Sequence, residues 1–188
     1  MAIAVTADAG GGIFFVHLFG KTSGYQPHWW VYALGIILAW LPDIDILAQK
    51  AKSQAIDSKH RSMITHQPML FMAITLGATV LLVGTSAPNH AEFWLPLVTL
   101  CLLFHYLHDS LGQANRWGIE WLAPFSGRLY QIGMIKDGKR RLVCSWTPEE
   151  AGKIPLEEWL ATYYLRPTSE SIGGILTFCL AVVYATLG

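Results

Sequence analysis

Residues 29–45 read Trp29-Trp30-Val31-Tyr32-Ala33-Leu34-Gly35-Ile36-Ile37-Leu38-Ala39-Trp40-Leu41-Pro42-Asp43-Ile44-Asp45. The segment 29–41 is the apolar heart of a longer run, residues 22–42, that holds no Asp, Glu, Lys or Arg. One helix needs about 20 predominantly apolar residues to cross the hydrocarbon core of a bilayer. The run closes on Pro42 and two carboxylates, so a membrane helix is expected to stop where ionisable chemistry begins.

Charge-free runs recur on either side. Residues 67–89, 93–108 and 171–188 each lack formal charge. A shorter run, residues 9–20, contains Gly10-Gly11-Gly12 and suits a half-crossing or tightly packed helix. No Lys or Arg precedes it, which argues against a cleaved secretory signal. The expected fold is an all-α polytopic membrane protein with four to five membrane helices. It forms a single membrane-embedded domain over residues 1–188, with a cytoplasmic insertion at about residues 110–170.

Composition points the same way. Of 188 residues, 53% are hydrophobic and 14% charged, against roughly 25% charged in an ordinary soluble domain. Thirteen basic residues balance thirteen acidic ones. With no net positive charge to displace counterions from phosphates, nucleic acid is not an expected partner. Cys101, Cys144 and Cys179 form an odd set without a CxxC pair, so neither a disulfide framework nor a cysteine zinc site is indicated.

Charge also orients the chain. If the four main runs each cross once, residues 48–66 and 110–170 share one side. Those segments carry twelve of the thirteen Lys and Arg residues, and Lys21 is left over. The positive-inside rule places them in the cytoplasm. Within the insertion, residues 131–136 and 139–146 flank Asp137-Gly138, the two-residue turn of a β-hairpin. Thr147-Pro148-Glu149-Glu150 reads as a helix start, with Thr as cap, Pro first and Glu third. Residues 156–165, with Trp159, Tyr163 and Tyr164, suit a short helix, either at headgroup level or packed on the membrane domain.

Three polar groups sit at the edges of the apolar runs: Pro42-Asp43-Ile44-Asp45, then His60-Arg61 with Thr65-His66, then His105-Tyr106-Leu107-His108-Asp109. The topology brings all three to one membrane edge, and ionisable groups near membrane depth are costly and usually functional. His105 and Asp109, four apart, project from one helix face; His108 can join that face or turn away. Imidazole nitrogen with carboxylate oxygen suits zinc, manganese or iron. Asp43 and Asp45 diverge on a continuous helix and share a metal only if the helix ends near Pro42. Otherwise one is a ligand and the other supports it. His28 and His90 fall toward the opposite surface, and Trp29, Trp30 and Trp94 are expected interfacial aromatics. The depth of His17 cannot be read from the sequence.

In this order, the motifs Pro42–Asp45, His60-Arg61 with Thr65-His66, His105–Asp109, Gly112 and Pro124-Phe125 resemble the YdjM-like family of predicted inner-membrane metal-dependent hydrolases. The likeness covers residues 29–130. That family is in turn similar to the zinc-dependent phospholipase C and single-strand nuclease superfamily, helical proteins that cleave phosphoesters with a His- and Asp-held zinc cluster. The resemblance implies metal ligands at Asp45, His66, His105 and Asp109, with Asp43 and His60 nearby. The spacing from His60 to His66 is one residue longer than the family's. An N-terminal His of the family falls nearer Asp8 than His17 here. No His follows His108, so one or two ions are implied in place of three.

The expected activity is a membrane-bound hydrolase acting on a phosphoester, lipid-linked in view of the site's location. Its expected metal set is Asp45, His60, His66, His105 and Asp109, holding a divalent ion, zinc first. Asp43 is the expected proton acceptor, Arg61 the group that stabilises phosphate charge, and Thr65 a supporting residue. Membrane lipids and other membrane subunits are the expected partners, and the bacterial-type inner membrane the location. A second expectation is a non-catalytic accessory subunit that keeps the same fold and packs through Gly10–Gly12 and Gly173-Gly174. A metal-ion carrier would need polar residues along a whole helix, whereas here they lie at one end.

Overall fold

A computed structural model describes residues 6–46, 61–86, 90–111, 118–151, 158, 161 and 167–188, the side chains of 169 and 170 excepted. Five long helices are described: α1 (Thr6–Ser23), α2 (Trp29–Trp40), α3 (Pro68–Ser86), α4 (Ala91–Leu111) and, last in the chain, α6 (Ser169–Leu187). Between α4 and α6 lie strands β1 (Leu129–Ile132), β2 (Ile135–Lys136), β3 (Lys139–Arg140) and β4 (Val143–Trp146), followed by the one-turn helix α5 (Pro148–Ala151).

Among the described residues, three helical segments are long and apolar enough to cross a membrane: Trp29–Ile46, Pro68–Ser86 and Ala91–Leu111. The sequence predicted four to five. The helix α6 adds a shorter apolar stretch, Ser171–Leu187, and α1 carries Asp8, His17 and Lys21. The segment α3 leaves Met69, Ile74, Val80, Leu81 and Leu82 exposed, a surface that water would penalise and lipid accepts.

The helix α1 is the hub of the bundle. A Cβ on Gly10 would lie 2.8 Å from the backbone of Phe178 on α6, and one on Gly12 would lie 2.4 Å from the carbonyl oxygen of Gly35 on α2. One on Gly11 would meet the Phe104 ring of α4 at 2.7 Å. Successive helical residues point about 100° apart, so three consecutive glycines let three helices approach three sides of α1. This is the tightly packed helix that the glycine run suggested. It also means that Gly10–Gly12 are used inside the chain and offer no surface to another subunit.

The helices alternate in direction, so the start of α1, the end of α2, the start of α3 and the end of α4 share one end of the bundle. At Pro42, which has no N–H to donate and crowds the preceding turn, α2 tightens into a 3-10 turn, Leu41–Asp43. Before Pro68 opens α3, a second 3-10 turn, Ile64–His66, follows the extended residue Met63.

The strands form one hairpin. Leu129 pairs with Trp146 and Ile132 with Val143. Ile135 pairs with Arg140 and Lys136 with Lys139. Gly133 and Leu142, and Met134 and Arg141, are joined by backbone hydrogen bonds in the same register. The turn is Asp137-Gly138, with φ of 54° and 72°, the left-handed pair that such a hairpin requires. The hairpin root sits against the end of α4: Ile119 bridges Tyr130, and Trp121 Nε1 donates to Ser110 Oγ at 2.8 Å. Thr147 and Glu150 complete the predicted capping box of α5, at 3.2 Å and 2.8 Å. Apart from residues 158 and 161, the helix expected over residues 156–165, with Trp159, Tyr163 and Tyr164, lies outside the described residues.

Candidate metal centre

Each polar group of the shared end has a local reason for its place. The i, i+4 spacing on α4 puts His105 and Asp109 on one face, with His105 Nε2 3.2 Å from Asp109 Oδ2. The 3-10 turn after Trp40 turns Asp43 toward that face: its Oδ1 lies 3.8 Å from His105 Nε2 and 3.3 Å from His66 Nε2. His66 enters from the turn before α3, and its Nε2 is 3.8 Å from Asp109 Oδ2. The Tyr106 hydroxyl holds that turn by donating to the Thr65 carbonyl at 2.7 Å. Gln67 Nε2 donates to Glu120 Oε2 at 2.9 Å, tying the turn to the hairpin root.

One ligand atom from each of Asp43, His66, His105 and Asp109 lies within 4.8 Å of every other. A tetrahedral zinc site with bonds of 2.0–2.1 Å has ligand–ligand edges of ~3.3 Å. The four closest separations, 3.2 to 3.8 Å, are therefore near that scale before any ion has drawn the ligands together. His66 and His105 are both fully buried. The Nε2 atom of His105 is itself buried, and among the described residues it faces carboxylate oxygens of Asp109 and Asp43 without an aligned hydrogen bond, a costly state for a polar atom unless it binds something. The donor set fits a divalent ion.

The opposite nitrogens of both rings face carboxylates. His105 Nδ1 lies 3.3 Å from Asp8 Oδ2, and His66 Nδ1 lies 3.8 Å from Asp45 Oδ1. A metal-binding His commonly donates its second N–H to such a partner, which fixes the tautomer and orients the ring. Asp43 and Asp45 therefore take opposite nitrogens of one imidazole, the divergence that their two-residue spacing allowed. Asp8 serves two rings, since its Oδ1 also lies 3.4 Å from His108 Nδ1.

Arg61 is buried and ion-paired with Asp109 through Nη1 and Oδ2. Thr65 Oγ1 is 3.4 Å from His66 Nδ1. His60 lies outside the described residues. His17 is not in this group; its Nδ1 is 3.3 Å from the Tyr32 hydroxyl. His28 precedes α2 and His90 packs on Tyr25 at 5.0 Å, both at the other end of the bundle. Sequence reasoning left Asp8 without a role and passed over Glu120 altogether. Asp8 had a signal, a lone carboxylate opening an apolar, glycine-rich run. Glu120 had none, because its contact with Gln67 spans 53 positions.

A family model described as YdjM inner membrane protein matches residues 5–187. The chain belongs to the YdjM inner membrane protein family. The match reaches beyond the motif-bearing residues 29–130 to include Asp8, the hairpin and α6, so the whole bundle is a YdjM unit. Inner-membrane residence of the YdjM family agrees with the three helices apolar enough to cross a bilayer. No curated protein and no solved structure matches the chain.

Proposed function

We propose that this YdjM family member is a membrane-bound, metal-dependent hydrolase that cleaves a phosphoester at the cytoplasmic membrane face. The observation that carries the proposal is the convergence of four ligand atoms from Asp43, His66, His105 and Asp109 within 4.8 Å, backed by carboxylates on both outer imidazole nitrogens. These four residues would hold one divalent ion, with zinc favoured by the mixed imidazole and carboxylate donors. Such an ion, when bound, acts as a Lewis acid toward water and toward phosphoryl oxygen.

The chain's own residues do the rest. Asp8 and Asp45 hold the two rings so that Nε2 faces inward. Among the described residues, four carboxylates, of Asp8, Asp43, Asp45 and Asp109, gather here with one guanidinium, that of Arg61. That surplus of negative charge would repel an anionic phosphoester and favours a divalent cation. The Asp43 side chain is 26% exposed, against 10% for Asp109 and none for either His, so the site opens past Asp43. Its second oxygen would accept a proton from water there. Arg61, against Asp109, lends positive charge at the edge where a phosphoester's charge develops. Relative to the sequence expectation, Asp43 moves into the ligand set and Asp45 into ring orientation. The cytoplasmic side follows from the one-sided Lys and Arg distribution, and a lipid-linked substrate from a site lying at helix ends.

The test uses the purified full chain: elemental analysis after zinc reconstitution, then hydrolysis of bis-p-nitrophenyl phosphate and of phospholipid in mixed micelles. Metal in stoichiometric amount with hydrolysis, both lost in His66→Ala and Asp109→Ala at unchanged helical circular dichroism, supports the proposal. Failure to take up metal overturns it. Metal without hydrolysis of any phosphoester removes the catalytic part and leaves a structural ion.

A further inference from the structure

The β-hairpin carries a second surface, independent of the metal centre. Alternation along a paired ladder puts Leu129, Gln131, Gly133 and Ile135 on one side, together with Trp146, Cys144, Leu142 and Arg140 from the facing strand. At the root this side is interior: Leu129 and Gln131 are fully buried, Cys144 is 2% exposed and Trp146 4%. Trp146 Nε1 donates to Gln131 Oε1 at 2.9 Å, so even its polar atoms are matched.

The same side continues past the body of the protein and stays apolar. Ile135 is 68% exposed and Leu142 80%. Leu142 faces Gly133, which has no side chain to cover it. Val143, on the other side, is 57% exposed. Around them Lys139, Arg140 and Arg141 are exposed at the tip. Lys136 turns back, its ammonium 2.8 Å from the Ser145 carbonyl and 4.4 Å from the Trp146 ring centroid. One acid offsets them, Asp137, 3.6 Å from Arg141.

A water-exposed hairpin tip gains nothing from an isoleucine and a leucine on the side that is core elsewhere. Apolar side chains ringed by Lys and Arg match an anionic bilayer surface: the chains enter the headgroup boundary while the cations stay at phosphate level. The bilayer is already present, because the hairpin root is joined to the end of the membrane helix α4 through Trp121 and Ser110. We infer that the hairpin tip, through Ile135, Leu142 and the cations Lys139, Arg140 and Arg141, docks on the anionic headgroup layer of the protein's own membrane.

The experiment uses the full chain with Cys179→Ser, which removes the exposed cysteine and leaves Cys101 and Cys144 buried. Leu142→Cys is labelled with an environment-sensitive dye, and the protein is reconstituted in vesicles of phosphatidylcholine alone or with phosphatidylglycerol. Docking predicts that phosphatidylglycerol shields the dye from aqueous iodide and exposes it to quenching by shallow nitroxide lipids. The shielding should fall with added salt, which screens the attraction. It should also fall in the triple variant K139E/R140E/R141E, by at least roughly fivefold in the docked-to-free ratio per charge removed. The salt series does not need the triple variant, so a misfolded triple mutant cannot rescue the idea. A dye that stays open to iodide in phosphatidylglycerol overturns the proposal. So does a dye shielded equally in detergent, in phosphatidylcholine and at high salt, because protein is then the cover.

Discussion

Removing the Asp8 carboxylate should weaken metal binding beyond its cost to the metal-free fold, and the two effects can be measured separately. Asp8 is 2% exposed and places one oxygen 3.3 Å from His105 Nδ1 and the other 3.4 Å from His108 Nδ1. Asp8→Ala deletes the group that orients His105, and loss of such a partner weakens metal affinity about 10–100-fold. At a free zinc concentration of 100 times the wild-type Kd, the ion stabilises the wild type by about 2.7 kcal/mol. A variant about 30-fold weaker gains only about 0.9 kcal/mol under the same condition. Asp8→Asn keeps the shape and one acceptor but loses the charge, so its gain should fall between the two. The metal-free protein should lose stability as well, since His105 Nδ1 and His108 Nδ1 lose their carboxylate partner, so the orienting role is read from the zinc-dependent gain alone. Thermal unfolding of the detergent-solubilised chain, with and without zinc, reads both quantities. A zinc-dependent gain equal to wild type in Asp8→Ala, at the same free zinc, would refute the orienting role. So would a fall in metal-free stability that accounts for the whole change.

Other consequences can be checked on the same preparation. Glu120→Ala should lower zinc affinity severalfold in competition with a chromogenic chelator, because Gln67 then loses its 2.9 Å acceptor beside His66; Glu120→Gln, which keeps an acceptor oxygen, should recover most of it. Gly12→Ala should cost about 1–3 kcal/mol by overpacking, since its Cβ would meet the Gly35 carbonyl oxygen at 2.4 Å. Gly77→Ala, with nothing within 4 Å of the new methyl, is the matched control and should be neutral or slightly stabilising; thermal unfolding separates the two. Gly138→Ala should cost about 1 kcal/mol, because that residue holds φ at 72°, and Gly138→Asn, which tolerates the left-handed region better, should cost less.

Much of this architecture is visible in the sequence because it depends on local pattern. The charge-free runs 22–42, 67–89 and 93–108 mark the three apolar segments, and Asp137-Gly138 marks the hairpin turn. The i, i+4 pair His105 and Asp109 announces a shared face. What is not visible depends on contact between distant segments. Asp43 and Asp45 differ by where His66 arrives between them, and nothing near residue 43 encodes that arrival. The same holds for Asp8: left without a role by the sequence, it lies against His105, nearly a hundred positions away. The glycine run of α1, by contrast, is a local signal: it reads as a tightly packed helix, and neighbouring helices do approach three sides of it.

With Asp8 moved to the shared end, the neutral net charge takes on a different meaning. Among the described residues, local ion pairs such as Arg61 with Asp109 and Arg141 with Asp137 still leave two groups of unlike sign. Asp8, Asp43, Asp45 and Asp109 turn inward at helix ends, with Arg61 the cation beside them, while Lys139, Arg140 and Arg141 project from the hairpin tip. Ordinary salt-bridge pairing would have brought those cations onto the carboxylates and cancelled both. Keeping them apart leaves an inner cluster that favours a divalent cation and an outer rim that favours anionic headgroups. A phosphoester in the headgroup layer would be drawn by the rim and would approach a site that only a bound cation makes attractive to it. Bound metal and surface charge should therefore act on different steps. Loss of a ligand such as Asp109 should abolish turnover of both soluble and lipid phosphoesters, whereas reversing the hairpin charges should raise KM for the lipid substrate alone. Equal loss on both substrates after charge reversal would show that the rim does not act through the membrane surface.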